Sequence, residues 1–532
     1  MAVLAVAWTW PGLVTPDLLS VHSDVYGTAW FVGSAGRLFP GFVDPLAAWP
    51  EGATYGRPDS WTLALLGWLL PLGAAKLHAL VGVVGVWLSG WAAAAFAEDL
   101  GAKAPWSWLA GSAFACSGLA ATALLEGYSY HLLDPWLPLC ALFWLRACRG
   151  GGAKEGALAG LFFLLTLLTT AYLGVAASLV LACFALAAGR ELSPKAVGGL
   201  VGVVTLPLGL YVYAFLNAPG DPGSTMGGLG RVLDTLFLNL SRAVGATVET
   251  DHSERHATLA LLGAVPALAV LAPRVLGSRR KAPLTLRALG LAGVVSLVIA
   301  LAPRFDPSPL AGLPVVGRAA ELLGHALLRF PERFAWSWYL CGGVLAALVL
   351  ERIARKHRRA ALVLLVAGFV DAFWIVGLPF RQGTLPSGVP SAYQGGDGPV
   401  FDLWPEDPHE GTGWALRATS TDCWYQLEHG RAIGDHCVTP AYESPRLALT
   451  PWVLEQALEG RVGEAADQLA AFGYEHLVLH TDPFHPADRA RLEHALAHVD
   501  PDPVESRDGG ERVLAYRLPP AGDDPAGAWA AW

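Results

Sequence analysis

The stretch LHALVGVVGVWLSGWAAAAFA, Leu77 to Ala97, decides the fold class. It is apolar throughout apart from one histidine and one serine. At about 1.5 Å per residue, a helix of this length covers the roughly 30 Å hydrocarbon core of a bilayer. Backbone groups in lipid must be paired within the segment, so such a run is read as a helix. Working outward, similar runs recur through the first 380 positions, AVGGLVGVVTLPLGLYVYAFL (196–216) being a second clear case. The whole chain agrees, with 54% hydrophobic and only 15% charged residues. About a quarter charged would be ordinary for a soluble protein of this length. The chain is a polytopic membrane protein.

The net charge of −9 is unevenly placed. From Arg381 onward there are about 24 acidic and 10 basic side chains, roughly −14, which leaves the remainder near +5. An acidic tail excludes nucleic acid as a partner. Basic residues beside spans mark the cytoplasmic side. They cluster in RACRGGGAK (146–154), GRELSPK (189–195), PRVLGSRRK (273–281) and RIARKHRR (352–359), with EDLGAK (98–103) weaker. Placing these inside leaves 22–60, 126–131, 169–172, 217–257, 303–332 and everything after 380 outside. That arrangement needs eleven spans, with the N-terminus cytoplasmic and the tail extracytoplasmic.

Two spans are irregular. The first, 2–21, holds Pro11 and Pro16 and lacks the basic start of a signal peptide. The stretch 157–188 is too long for one helix and is split at TTAY, because a single helix would invert every later loop. The predicted architecture is an all-α membrane domain of about eleven helices over 1–380, followed by a small α/β extracytoplasmic domain over 381–532. In the tail, SGVPSAYQGGDGP (387–399) reads as a linker and VFDLW (400–404) as a strand. The run from Ala448 to Gly473 reads as one or two helices, HLVLH (476–480) as a strand, 486–499 as a helix and 504–518 as a hairpin across Asp-Gly-Gly.

The first outer loop, 22–60, is dense in unusual residues. In VYGTAWFVGSAGRLF, Val25, Trp30 or Phe31, Val32 and Leu38 fall at helical spacing, which predicts an amphipathic helix lying in the membrane interface. Asp24 stands at its start. Asp-Pro, Pro-Glu-Gly and Gly-Arg-Pro turns follow.

A short first span, an Asp entering an interfacial helix and a Gly/Pro-rich loop before the second span resemble the GT-C superfamily of membrane glycosyltransferases. EGYSYHLLDPWLPL (126–139) and LLRFPERFAW (327–336) resemble two further segments of bacterial relatives. YQLEHGRAI (425–433) and FGYEHLVLH (472–480) resemble their outer C-terminal domain. The resemblance implies transfer of a sugar from a polyprenyl-phosphate donor to an envelope glycan or glycoprotein acceptor. The site would be the outer face of a bacterial inner membrane, among membrane lipids. An abundance of arginine over lysine agrees with a GC-rich bacterial gene. No motif demands a cofactor, and a divalent metal is compatible with the acidic loop. The alternative is a non-catalytic relative that handles lipid-linked glycans. A transporter is a third class, which would call for paired broken helices and ionisable groups in mid-span.

The resemblance gives Asp24 the place of the catalytic carboxylate, with Ser23 where relatives carry glycine. The competing reading is a helix cap, Ser23 or Asp24 accepting from the first amides. Asp44 and Asp59 are secondary candidates for a catalytic or metal-supporting role, although each adjoins a proline and suits a turn. Glu51 reads as a solvated turn residue and His22 as interfacial. His131 is a third catalytic candidate. It lies three residues from Asp134, close enough on a helix simply to pair with it. Arg329 and Arg333 would bind the lipid phosphate through their guanidinium forks, with Arg57 in support, or else anchor a helix at the headgroups. His476 and His480 share a strand face, which suits metal ligation or polar surface residues. Cys423 and Cys437 flank a short loop in the oxidising compartment and form either a disulfide or two buried thiols.

Overall fold

The structure is a computed structural model. It describes residues 1–10, 12–15, 17–18, 24–34, 43–44, 46, 53–54, 61–70, 72–125, 127–216, 284–300, 334–370, 388–394, 396–405, 418–433, 449–507, 512–520, 522 and 524–531. Asp59, Arg57, Arg329, Arg333, Cys437, His22, Glu51 and Glu126 lie outside the described residues.

The helical part opens with α1 (Ala2–Trp8) and α2 (Asp24–Gly33). A two-residue ladder pairs β1 (Val43–Asp44) with β2 (Ala53–Thr54), setting Asp44 opposite Ala53. Then follow α3 (Trp61–Leu69), α4 (Ala74–Asp99), α5 (Ser107–Ala115), α6 (Gly118–Leu125), α7 (Trp136–Cys148), α8 (Ala153–Thr169), α9 (Ala171–Ala188), α10 (Pro194–Leu216), α11 (Leu284–Ala300), α12 (Ala335–Ala354) and α13 (Arg358–Val370). Among the described residues three helical stretches are long and apolar enough to cross a membrane: Ala74–Asp99, Leu173–Glu191 and Ala335–Ala354. The break expected in 157–188 occurs at Thr170, whose extended backbone (φ −161°, ψ 136°) separates α8 from α9.

Packing follows the small residues. Gly156 and Gly160 of α8 face Ala196 and Leu200 of α10, and Gly199 of α10 faces Ala153, with no room for a Cβ at any of the three glycines. Close backbone approach is how helices associate where lipid competes with protein for apolar contact. At the charged end of the bundle, Arg146 pairs with Asp99, while Glu351 accepts from the Lys103 amide (3.0 Å) and from Arg355 (3.1 Å).

The sequence expected a first span over 2–21 interrupted by two prolines, and α1 stops after seven residues. A residue before proline avoids the α region, and the prolines at 11 and 16 follow directly.

The remaining elements are β3 (Val400–Leu403), α14 (Ala418–His429), α15 (Leu449–Leu458), α16 (Val462–Ala471), β4 (His476–His480), α17 (Pro486–Leu496), β5 (Val504–Ser506), β6 (Val513–Arg517) and α18 (Pro525–Ala531). The sheet order is β3-β4-β6-β5, with β3 parallel to β4 and the other pairs antiparallel. Gly473, at φ +85°, ends the turn after α16 in the left-handed region that glycine adopts freely. Strand alternation sends Phe401, Leu403, Leu477, Leu479, Leu514 and Tyr516 to one face, against Leu454, Leu469 and Leu492 of the covering helices. Val400, Val478, Val513 and Ala515 point to the opposite face, and there they meet Val25, Tyr26 and Ala29 of α2 together with Trp424 and Tyr425 of α14. Both faces are covered, so the strands are apolar on both sides.

Two further expectations change. The helix after Asp24 is not an interfacial amphipath: Val25, Tyr26, Ala29, Trp30, Phe31 and Val32 are all buried. Helical spacing of apolar groups is equally satisfied when protein covers every side. The expected linker at 387–399 contains a 3-10 turn, Ser391–Gln394, whose Ala392 and Tyr393 sit in the core.

Candidate functional site

Asp24 is the first residue of α2. The next residue, Val25, is fully buried and packs backbone-first onto Gly127. A Cβ at Gly127 would stand 2.5 Å from the Val25 amide nitrogen and Cα, and Gly127 has φ +86°. Glycine is therefore required twice over, for its left-handed conformation and for the close approach. The Gly127 carbonyl is bonded to His78 Nε2 of α4 at 3.2 Å, inside the protein. One glycine thus joins the start of α2 to the first turns of α4.

From Gly127 the chain runs down alongside α4. Gly85 lies against the Leu132–Leu133 peptide. Ser89 Oγ donates to the Leu132 carbonyl (2.8 Å) and accepts from the Asp134 amide (3.1 Å). Ser89 is eleven residues beyond His78, about 16 Å along the helix axis. Irregular backbone at this depth is tolerated because the protein surrounds it and Ser89 pairs its peptide groups. Asp134 Oδ1 accepts from the Leu137 amide (3.1 Å) in the first turn of α7 and from Thr166 Oγ1 (3.3 Å) of α8, which ties the two helices together. Asp134 Oδ2 is buried with no hydrogen-bond partner. His131 is buried between Tyr128, stacked at 5.5 Å, and Tyr130, edge-on at 4.6 Å.

The sheet unit closes over α2 from the other side. Gln426 of α14 is completely buried and makes two bonds with its amide. Its Oε1 accepts from Trp30 Nε1 at 2.7 Å and its Nε2 donates to the Leu46 carbonyl at 2.6 Å. Leu46 also accepts from the Ile433 amide at 2.8 Å. Tyr26 and Trp424 add a tilted ring contact at 6.2 Å. One side chain therefore holds both α2, which begins at Asp24, and the chain two residues beyond Asp44.

Beneath this seam lies a polar network. Tyr393 Oη bonds to Asp402 Oδ1 and to His480 Nε2 (3.0 Å), and His480 Nε2 also lies 3.2 Å from Asp402 Oδ1. Trp404 stacks on His480 at 3.6 Å. Arg431 is buried, donating to the carbonyls of Gly398 (2.6 Å) and Tyr393 (3.4 Å) and bonded to His476 Nδ1 (2.6 Å). Burial draws its guanidinium below the ordinary arginine range, partly offset by the Asp402 and Glu475 carboxylates. Burial also lowers His429 to about 4. His476 and His480 do share one strand face, but that face is turned inward. His480 is not a surface residue, and its partners are a phenol and a carboxylate. Among the described residues no group of three or more His, Cys, Asp or Glu side chains could hold a metal ion.

The structure sets Asp24 at the start of α2, Asp44 in β1 and His131 beside Tyr128 and Tyr130. The arginine candidates lie outside the described residues. Cys423 is disulfide-bonded, while Cys116, Cys140, Cys148, Cys183 and Cys341 are free and buried; Cys437 lies outside the described residues. Sequence reasoning passed over His78, a polar group in an apolar run, and met Gly127 and Gln426 only within segments that carry the resemblance, without giving either a role.

No protein-family model matches the chain, and no curated protein matches it in sequence. Solved structures do. The arabinofuranosyltransferase AftD from Mycobacteria overlays 98% of this chain with a TM-score of 0.55 at 17% identity. The chain shares the fold of the matched part of AftD. It spans about two fifths of AftD, whose matched part is 39% of its length. Looser overlays reach the oligosaccharyltransferase AglB from Archaeoglobus fulgidus (TM-score 0.47, 12% identity, 94% of this chain and 71% of that one). ArnT from Cupriavidus metallidurans, solved with undecaprenyl phosphate, gives 0.43 at 12% identity over 96% of both chains. In this fold, the junction of α2, Gly127 and Gln426 unites the segment after the first helix with the sheet unit.

Proposed function

We propose that this protein transfers a sugar from a polyprenyl-phosphate donor to an envelope acceptor on the outer face of a bacterial inner membrane. In this reading eleven spans cross the membrane, the N-terminus is cytoplasmic, and residues 381–532 form the extracytoplasmic domain. Asp24 is the general base. It takes the proton of an acceptor hydroxyl as that oxygen bonds to the anomeric carbon. The bond from that carbon to the phosphate oxygen breaks, and polyprenyl phosphate leaves with the electron pair. Arg329, Arg333 and Arg57 receive the phosphate charge, and Asp44 and His131 border the reacting groups. A divalent metal, if one is used, belongs to the acidic first loop.

The observation that carries this reading is the position of Asp24. It opens a buried helix clamped between Gly127 and Gln426, in a chain that shares the fold of the matched part of AftD. A helix N-terminus favours an ionised carboxylate, so capping and base roles are compatible. A solvated turn would need no such clamp. The test uses purified protein in lipid nanodiscs with a panel of polyprenyl-phosphate sugars and cell-envelope extract as acceptor. Transfer by the wild type and loss of at least about a hundredfold in Asp24→Asn, with melting unchanged, is the expected result. Undiminished transfer by Asp24→Asn refutes the assignment, and binding of the lipid-linked sugar without any transfer favours a handling role.

A further inference from the structure

Beside the α2 seam, the sheet unit holds a cavity of about 560 Å3 lined by Gly388, Val389, Tyr393, Gln394, Gly396, Asp397 and His429. Its volume is within the range of small-molecule sites. Val389 packs against the apolar cluster that contains Val25 and Tyr26, and Tyr393 is a member of that cluster. The cavity wall is therefore continuous with the residues that directly follow Asp24.

The lining selects a class of ligand. Among the described residues that line it, the one formal charge is the Asp397 carboxylate and there is no lysine or arginine. Arg431 is turned to the Gly398 and Tyr393 carbonyls and to His476. The imidazole of His429 is neutral near pH 7, since burial lowers it to about 4. Its Nδ1 accepts from the Arg431 amide at 3.0 Å, so the ring proton resides on Nε2. That Nε2–H is buried and has no partner. The ring lies parallel to Tyr393 at 4.9 Å. The wall thus offers the exposed Asp397 carboxylate and Gln394 amide for hydroxyl groups, beside the partly exposed ring of His429. Among the described residues a phosphate would meet like charge and no cation. A neutral molecule rich in hydroxyls meets complementary groups throughout.

We infer that this cavity binds a neutral saccharide. On the glycosyl-transfer reading, that saccharide is the acceptor and not the phosphate-bearing donor; the binding itself does not depend on that reading. Gly396, at φ +140°, packs against the His476 ring, which a Cβ there would meet at 2.9 Å.

The experiment is saturation-transfer NMR on the full chain in nanodiscs. The probes are the methyl glycosides of glucose, mannose, galactose and arabinose, with maltose and isomaltose, at millimolar concentration. The comparison variant is the double substitution Gln394→Ala with Asp397→Ala; both residues are exposed, and melting checks that the fold is intact. At least one saccharide should give a signal that falls by about fivefold or more in the variant, and inorganic phosphate should not displace it. No signal from any probe, an unchanged signal in the variant, or displacement by phosphate overturns the inference. Sugar transfer by the wild type with no saccharide signal overturns the cavity and leaves the transferase reading intact. Saccharide binding without transfer by the wild type does the reverse.

Discussion

Replacing Gly127 with alanine tests the central geometry with a single methyl group. The new Cβ would lie 2.5 Å from the backbone of Val25, where ordinary contact begins at 3.4 Å, so the first turn of α2 or the loop must retreat by about 1 Å. Two costs accompany the move. Holding alanine at φ +86° costs about 1–2 kcal/mol, and overpacking a filled site costs a further 1–3 kcal/mol or so. Gly101→Ala separates them, because Gly101 has φ +103° and no atom within 4 Å of an added Cβ. It bears the backbone cost alone. Melting in nanodiscs should therefore place Gly127→Ala below Gly101→Ala by about 1–3 kcal/mol. Single-turnover sugar transfer should fall about a hundredfold in Gly127→Ala only, since displacing a reacting group by 1 Å costs about that much. Equal stability of the two variants, with an undiminished rate in Gly127→Ala, would show that the contact with Val25 does not set the position of Asp24.

Three other outcomes are expected. Gln426→Leu removes the bonds to Trp30 and Leu46 within a buried seam and should destabilise the protein by about 2–4 kcal/mol in thermal unfolding; a loss under about 0.5 kcal/mol would mean the amide does not clamp the loop. His429 remains neutral in the folded protein down to about pH 4, whereas the unfolded chain takes up its proton near 6.5. Its contribution is complete above pH 6.5 and is lost as pH falls toward 4, by up to about 3 kcal/mol, so unfolding curves should show an acid limb that His429→Gln flattens. Peptide mapping without reduction should recover Cys423 joined to Cys437, and a free thiol at Cys437 would contradict this pairing.

The local properties of this protein were legible along the chain. Apolar runs announced the spans, because a helix in lipid must hide its own backbone over a length set by the bilayer. The split at Thr170 followed from length, and the strands and helices of the tail from period and turn residues. Asp24 was noticed as the first residue of a helix, and it is one. What surrounds that helix was not legible. Its apolar spacing suited a lipid interface as well as a buried slot, and only the arrival of α14 and β4 decided between them. The partner of Trp30 is 396 residues away. A stretch rich in glycine and serine read as a linker, yet Tyr393 within it anchors a buried network with Asp402 and His480. Composition and period report what a segment can bury. Which surface buries it depends on contacts between distant parts of the chain, and here the tertiary structure alone brought the tail onto the loop that begins at Asp24.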